Sequence, residues 1–430
     1  MQLRARLRPS FYYRPPLVLL AATICVAVNA RPASGSDPRP TDPPTDPAAN
    51  DNAKPAGATT GRTTTGTATL EFAAYDDSDH VTVFTPSINL GVEPASGLLL
   101  RGSYLVDVVS AASVDIVSTA SSRWREVRQA GTLGGQYKPG NFGVAVDAAL
   151  SSEPDYLSYG ASLKIIQDFN QKNWTATFGY GYSHDTAGRC DGGSCTPFSV
   201  FSRDLDRETF SGELAWVIDR ASTAAVGLSF IFEDGDQSKP YRYIPMFSPT
   251  VAPDVPRGAS IDFVNANRLP ERPLEQLPLS RRRAALVGRF AHRFESSTLR
   301  LEERVYNDSW GMLASSTDAK WIVGVGDRFE FWPHTRFHVQ SAVSFWERAY
   351  VSSGAPGWDL PEYRTGDREL GPLWTAQGGL GTRWFFGRSA DPRSWQLGLT
   401  ADVMYTSFLD DLYLTYRLST LVALTLGVKW

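Results

Sequence analysis

Five histidines are the first residues of this 430-residue sequence that could do chemistry: His80, His184, His292, His334 and His338. None has the HExxH spacing of a zinc protease, and the sequence contains no GxSxG motif. Ser78 with His80, or His184 with Asp185, could form the polar pair of a hydrolase. Isolated polar residues at strand ends more often face solvent. The sequence therefore predicts neither an enzyme nor a metal site.

Two cysteines are expected to form a disulfide. Cys190 and Cys195 lie in the Gly-rich stretch RCDGGSC, which can close a small loop outside the cytoplasm. The CxxxxC spacing alone could also bind a metal, but no nearby histidine or second cysteine pair completes such a site. No CxxCH motif for attachment of a c-type haem is present. We therefore expect no cofactor.

Charged residues recur at alternate positions, and alternate residues of an extended strand share a face. If the strands form a wide barrel, one face lines its lumen. The candidate lining residues are Arg101, Asp107, Arg281, Arg283, Arg289, Arg293, Arg300, Glu302 and Arg304. These charges would shape the field that a solute crosses. Alternatively they form compensating ladders that stiffen the wall, and both roles can hold at once.

The last stretch, LTYRLSTLVALTLGVKW (414–430), shows which elements would position these charges. Its apolar residues fall on one side of an extended strand and its polar residues on the other, with only Thr420 and Leu421 breaking the pattern. This stretch resembles the C-terminal signal by which Gram-negative outer-membrane barrels are recognised and folded. The resemblance implies the barrel-assembly machinery as a partner. The signal residues would be Tyr416, Leu424, Leu426, Val428 and Trp430.

The same alternation recurs along the chain and predicts about sixteen strands. They lie near 67–75, 81–92, 98–109, 125–137, 142–150, 156–167, 174–183, 206–218, 222–233, 280–294, 297–308, 319–331, 335–349, 372–386, 395–406 and 414–430. Every second connection is tight, whereas the others include long ones near 110–124, 184–205, 234–279 and 350–371. Short periplasmic turns and long extracellular loops are typical of a transmembrane antiparallel β-barrel. Two charges, Glu303 and Asp327, fall on the predicted lipid side.

Composition agrees with this all-β fold. Only 42% of the residues are hydrophobic and 20% are charged, as expected where alternate residues meet lipid and water. No apolar run is long enough for a spanning helix. The formal net charge of −4 argues against a nucleic-acid partner.

The N-terminal part is predicted to lie outside the barrel. Residues 1–30 have a basic start, an apolar run and Val28-Asn29-Ala30, which suit a cleaved signal peptide. Residues 31–66 are rich in Pro and Thr and predict a disordered periplasmic leader. The barrel domain would cover 67–430 of the bacterial outer membrane protein, with outer-membrane lipid around it.

Two further stretches, YLVDVVSAASVDIVSTAS (104–121) and PEYRTGDRELGP (361–372), resemble an uncharacterised bacterial family known by a domain-of-unknown-function label. The similarity covers about 75–430. The family is considered a porin-like outer-membrane barrel, so the resemblance implies location and fold. Some members occur beside extracytoplasmic redox genes, which implies a protein partner but assigns no residue.

Two functions follow as hypotheses. The first is a porin-like passage for small hydrophilic or anionic solutes. The second is a scaffold or receptor that holds a periplasmic or extracellular protein partner, possibly in an extracytoplasmic redox system. The 235–279 loop discriminates between them. Folded inward it would narrow the pore, whereas standing outward, with PYRYIPMF exposed, it would favour a partner.

Overall fold

A closed antiparallel barrel is the main feature of the computed structural model, which describes residues 64–110, 126–191, 194–353, 359–387 and 394–430. Its strands are β1 (Thr65–Asp77), β2 (Thr82–Ala95), β3 (Leu98–Ser110), β4 (Glu126–Tyr137), β5 (Phe142–Glu153), β6 (Tyr156–Phe169), β7 (Trp174–Ala187), β10 (Arg203–Val217), β11 (Ser222–Gly235), β13 (Ser280–Arg293), β14 (Ser297–Asp308), β15 (Leu313–Val325), β16 (Phe329–Gln340), β18 (Leu373–Phe386), β19 (Ser394–Phe408) and β20 (Tyr416–Lys429). Within the described residues these are sixteen strands, and β1 pairs with both β2 and β20 to close the sheet. The predicted barrel of about sixteen strands is confirmed.

The barrel begins two residues before the predicted boundary at Thr67. Most of the predicted leader and the whole predicted signal peptide lie in 1–63, outside the described residues.

Alternation along each strand separates an apolar outer wall from a polar inner wall. On β20, Leu424 and Leu426 are 39% and 41% exposed on the outside, whereas the inward Ser419 is 2% exposed. Thr420 and Leu421, which break the sequence pattern, keep the alternation, so Thr420 faces out and Leu421 faces in. An apolar outer wall on a closed sheet is the architecture of a transmembrane barrel, because no backbone edge meets lipid.

The long connections of the described chain lie at one end of the barrel, as predicted, although that end also has the short links 78–81, 154–155 and 309–312. The turn end carries the short links 96–97, 138–141, 170–173, 218–221, 294–296 and 326–328. Gly97 shows how tight they are: its φ is +79°, and a Cβ there would lie 2.7 Å from the Lys138 backbone. The loop end carries 236–279 and 341–372. Two other predicted connections, at 110–124 and at Ala390-Asp391, lie largely outside the described residues.

Two strands were predicted about six residues too late. The predicted strands 319–331 and 335–349 are in fact β15 and β16, and the turn between them is 326–328 rather than Pro333-His334. Pro333 lies inside β16, opposite Leu380 of β18. The β15–β16 pairing is interrupted beside it, between Lys320↔His334 and Val323↔Phe331. A proline without an N–H donor therefore marked a gap in the ladder, not a turn.

This shift also corrects the position of Asp327, which lies in the turn and not on the lipid side. Glu303 does face outward. Its carboxylate accepts hydrogen bonds from Ser315 Oγ and Thr317 Oγ1 of β15, both at 2.5 Å. The two hydroxyls partly replace the water that a lipid-facing carboxylate loses.

The longest loops carry short elements of their own. A hairpin, β8 (Arg189–Asp191) and β9 (Ser194–Thr196), lies after β7, and β12 (Met246–Phe247) pairs in parallel with β17 (Tyr350–Val351). Helix α1 (Ile261–Asn267) begins after Ser260, whose hydroxyl accepts the Phe263 amide. Among the described residues, no helix is both long and apolar enough to span a membrane.

Candidate functional site: the lumen and its cap

The inner wall near the loop end is a closed network of buried ion pairs. Glu233 on β11 contacts Arg207 and Arg283, each at 2.9 Å, and Arg207 also contacts Asp185 at 3.3 Å. Arg281 pairs with Asp308, whose side chain is fully buried. Arginine and carboxylate side chains this deeply buried are stable only when paired. These ion pairs therefore hold together the inner wall near the loop end, which we call the upper wall.

The inner wall nearer the turn end is open to solvent-accessible space. Arg289 contacts Glu213 and Glu302, the latter at 2.7 Å, yet 43% of its side chain is exposed. Arg336 and Arg383 are 49% and 42% exposed. We call the part of the lumen nearer the turn end the lower lumen. Since these exposed side chains point inward, the lower lumen has room for water or solutes.

Predicted lining residues occupy inward positions but differ in their partners. Arg101 binds Asp147 at 2.8 Å, and Asp107 accepts from Thr85 at 2.6 Å and lies 3.7 Å from Arg128. Within the described chain, three predicted lining residues have no carboxylate within 4.0 Å: Arg293, Arg300 and Arg304. Most of the predicted lining residues thus belong to compensating ladders of opposite charge. The three arginines keep a charge that no nearby carboxylate of the described chain offsets.

Three segments pack together at the loop end, and we call their described residues the cap: 236–279, 341–353 with 359–372, and 409–415. One apolar cluster of the cap contains Phe247, Val255 and Val264, joined by Leu412. A second joins Ile244 and Met246 to Tyr350. The PYRYIPMF stretch (240–247) contributes to both clusters, and Ile244, Met246 and Phe247 are at most 1% exposed. It is therefore packed inside the cap and not displayed to solvent.

A buried carboxylate joins the two long cap segments. Glu275 accepts hydrogen bonds from Arg242 at 3.0 Å, Thr365 Oγ1 at 2.6 Å and the Lys239 amide at 2.8 Å. Arg242 also contacts Asp367 at 2.9 Å. The burial and Arg242 lower the pKa of Lys239 to about 8. The charges compensate one another, so the network fixes how the segments pack.

The cap is fastened to the barrel through Arg368. Its guanidinium contacts Asp79, in the link between β1 and β2, at 2.9 Å, with side-chain exposures of 4% and 6%. It also lies over the ring of Phe408. Nearby, Gln340 Nε2 donates to the carbonyls of Glu369 and Gly371, both at 2.8 Å. The cap therefore covers inward-facing wall residues such as Phe408, which is 1% exposed.

Acid should loosen this cap. Burial opposes ionisation of Asp367, but Arg242 and Lys239 outweigh it and hold the pKa of Asp367 below its ordinary value. A depressed carboxyl pKa stabilises the folded cap above about pH 4, and that stability is lost as pH falls through the folded pKa. We expect hydrogen-exchange protection of 236–279 to be constant from about pH 7 to 5 and to fall below about pH 4. Unchanged protection at about pH 3, after correction for intrinsic exchange, would contradict this.

The histidines do not form the hydrolase pairs that the sequence left as an alternative. His184 and Asp185 face opposite sides of the wall: His184 Nδ1 contacts Asp206 at 2.9 Å outside, and Asp185 contacts Arg207 inside. Ser78 Oγ accepts the Leu418 amide instead of meeting His80. Among the described residues, no group of three or more His, Cys, Asp or Glu side chains could hold a metal ion.

The remaining polar groups have positioning roles. His338 Nδ1 contacts Ser316 at 2.7 Å, and its Nε2 contacts Gln340, which binds the cap. Cys190 and Cys195 face each other on the hairpin β8–β9, where a disulfide joins them. The Cys190 amide donates to Tyr241 Oη of the cap. This small loop is thus an attachment point for the cap.

The sequence did not predict two groups of residues that the structure brings together, one in the cap and one in the lower lumen. Arg368 and Glu275 carry the cap, but no periodic pattern marks them. Lys320, Trp332 and Arg383 face the lower lumen from the adjacent strands β15, β16 and β18, of which β15 pairs with the predicted lining strand β14. Trp321 and Val323 alternate as outward-facing residues, and this alternation would have placed Lys320 on the inner face. The six-residue shift of the predicted strand concealed it.

A family model described as Protein of unknown function (DUF3570) matches residues 118–392, more than half of the chain. This chain belongs to that family. The predicted resemblance to a domain-of-unknown-function family is confirmed, although the DUF3570 match is shorter than the predicted 75–430. It includes the whole 361–372 motif, which lies in the cap, but only the end of the 104–121 motif. No curated protein matches this DUF3570 chain in sequence.

Several solved structures match this DUF3570 protein at low identity and with TM-scores below 0.5. CdiB from Acinetobacter baumannii matches with a TM-score of 0.46 and 7% identity, covering 85% of this chain and 60% of its own. The siderophore receptor PirA from Pseudomonas aeruginosa matches at 0.37 and 14%, covering 80% and 56%. The CymD monoaromatic hydrocarbon channel matches at 0.40 and 7%, covering 85% and 88%. This chain thus spans little more than half of the PirA receptor.

Proposed function

We propose that this protein is an outer-membrane barrel that gives small hydrophilic anions a passage, with the cap as its constriction. The observation that carries the proposal is the lower lumen, where charged side chains are solvent-accessible and Arg293, Arg300 and Arg304 have no carboxylate within 4.0 Å in the described chain. Low-dielectric walls focus the field of such charges and raise the local anion concentration. Carboxylates on neighbouring strands oppose it, so the expected anion preference is mild.

Conductance of the purified protein in a planar bilayer is the direct test. We expect discrete channel openings of low probability, because the cap packs against the inner wall at the loop end. The purified protein should also show heat-modifiable migration, which verifies that the barrel is folded. A folded barrel that never conducts would refute the passage.

Charge reversal of the inner wall should change ion selectivity. Arg289 lies between Glu213 and Glu302, so Arg289→Glu brings three carboxylates together. Arg293→Glu reverses a charge that has no carboxylate within 4.0 Å among the described residues. The double variant should shift the reversal potential toward cation preference. The shift should be larger at about 0.01 M salt, where the Debye length is about 30 Å, than at about 1 M, where it is about 3 Å.

Arg282→Glu is the matched control, since Arg282 lies on the same strand but faces outward. It should leave the reversal potential unchanged. Equal shifts in both proteins would show that the inner wall does not set selectivity.

The second candidate is a barrel that serves as a scaffold or receptor for a partner protein. The cap supports it only as a self-packed surface at the loop end, since the PYRYIPMF stretch is buried and not displayed to a partner. It replaces the passage if the folded barrel does not conduct.

A further inference from the structure

Two positive charges face each other across neighbouring strands of the lower lumen. Arg300 of β14 and Lys320 of β15 are register partners, and both point inward. Like charges directly opposite one another destabilise a sheet. In the described chain, neither has a carboxylate within 4.0 Å, unlike the paired arginines of the upper wall. The fold thus retains a local repulsion that no direct ion pair of either residue relieves within the described chain.

A third cation joins this pair through an indole ring. Lys320 Nζ lies 4.6 Å from the ring centroid of Trp332, and Arg383 Cζ lies 5.3 Å from the same ring. Trp332 is only 7% exposed. Gly381 makes room for the indole because it has no side chain: a Cβ at Gly381 would lie 2.1 Å from the Trp332 ring. Trp332 is therefore a fixed support that holds both cations near each other.

Neighbouring carboxylates do not neutralise the cluster. Glu330 lies 3.6 Å from Arg383. The Asp402 carboxylate contacts His334 Nε2 at 2.5 Å and accepts a hydrogen bond from Gln377 Nε2 at 2.9 Å. The absence of a side chain at Gly379 makes room for Asp402 and His334. Hydrogen bonding does not remove the negative charge of Asp402, so the three cations face two carboxylates and keep an excess of one positive charge.

We propose that Arg300, Lys320 and Arg383 form a binding site for a phosphate-class anion, either inorganic phosphate or a phosphomonoester. A bound anion offsets the excess positive charge. Its several oxygens suit two guanidinium groups, which can each donate two parallel hydrogen bonds, and one ammonium group. This proposal rests on the anion passage proposed above and gives it a ligand class.

Titration calorimetry of the purified, detergent-solubilised barrel tests the site, with inorganic phosphate and glycerol phosphate as separate probes and chloride as the background anion. Saturable binding of one phosphate per chain is expected. Arg300→Gln and Lys320→Gln should each lower phosphate affinity at least about tenfold, since each removes charge-assisted hydrogen bonds. Lys320→Arg, which keeps the charge, should retain binding.

Arg304→Gln is the matched control. It removes the same charge from the same strand and face, again without a carboxylate within 4.0 Å in the described chain, but about 13 Å away along the strand. That distance exceeds the Debye length of about 8 Å at physiological salt, so affinity should change by less than about twofold.

The outcomes separate the two proposals. Equal losses in the three glutamine variants would show a general field and overturn the site, as would the absence of saturable binding by a barrel that conducts. Saturable binding that depends on Arg300 and Lys320, in a barrel that does not conduct, would keep the site and remove the passage. Preference for glycerol phosphate over inorganic phosphate would identify the phosphomonoester as the ligand.

Discussion

Arg368→Ala should raise the open probability of the barrel at least tenfold. Arg368 contacts Asp79 across the edge of the cap, and both side chains are at most 6% exposed. Removing one partner of a buried ion pair destabilises a structure by about 3–5 kcal/mol. Since about 1.4 kcal/mol changes an equilibrium tenfold, the closed cap should lose much of its advantage over open states. The measurement is single-channel recording at neutral pH.

Arg348→Ala is the control for that experiment. Arg348 lies in the same cap segment and pairs with Asp410, but the two side chains are 31% and 41% exposed. Exposed pairs contribute little, about 0–1 kcal/mol, so this variant should behave as wild type. If Arg368→Ala also conducts as wild type while its cap loses hydrogen-exchange protection, the cap does not gate the barrel.

Leu426→Asp should reduce outer-membrane abundance strongly by disturbing barrel closure. Leu426 faces outward on β20, between Leu70 of β1 and Leu397 of β19, and so lies on the seam where the sheet closes. A charge on the lipid face costs up to about 2–4 kcal/mol near the midplane, somewhat less for a carboxylate. Ala423→Asp places the same charge on the same strand facing the lumen and should be tolerated. Equal abundance of the two variants in membrane fractions would contradict the role of this face.

Trp430 should matter for the same seam. Its amide donates to the Gly66 carbonyl at 3.0 Å, its carbonyl accepts the Gly66 amide at 2.9 Å, and its indole covers Gly66. We expect Trp430→Ser to lower abundance more than Trp395→Ser, since Trp395 lies on β19, which pairs with β20 and not with β1. Equal losses would indicate that both tryptophans act only as membrane-interface anchors.

The sequence by itself determined the barrel, because alternation is a local property of each strand. Leu424 and Leu426 on β20 face lipid for the same reason that Arg281 and Arg283 on β13 face the lumen: successive side chains point to opposite sides. The predicted turn was wrong where a local signal was ambiguous. Pro333 has no N–H donor, and its position in the sequence does not distinguish a turn from an interrupted ladder.

Only the tertiary structure decided which segments form the cap and which charges have no ion-pair partner among the described residues. Glu275 binds Thr365 across 90 residues of chain, and Arg368 meets Asp79 across 289. No periodicity links such positions, since they become neighbours only after the strands between them have closed the barrel. The same holds for Arg300 and Lys320: their parity shows that each can face inward, but whether a carboxylate lies beside them depends on strand register. The sequence therefore specifies which side each residue faces, and the folded sheet specifies its partner.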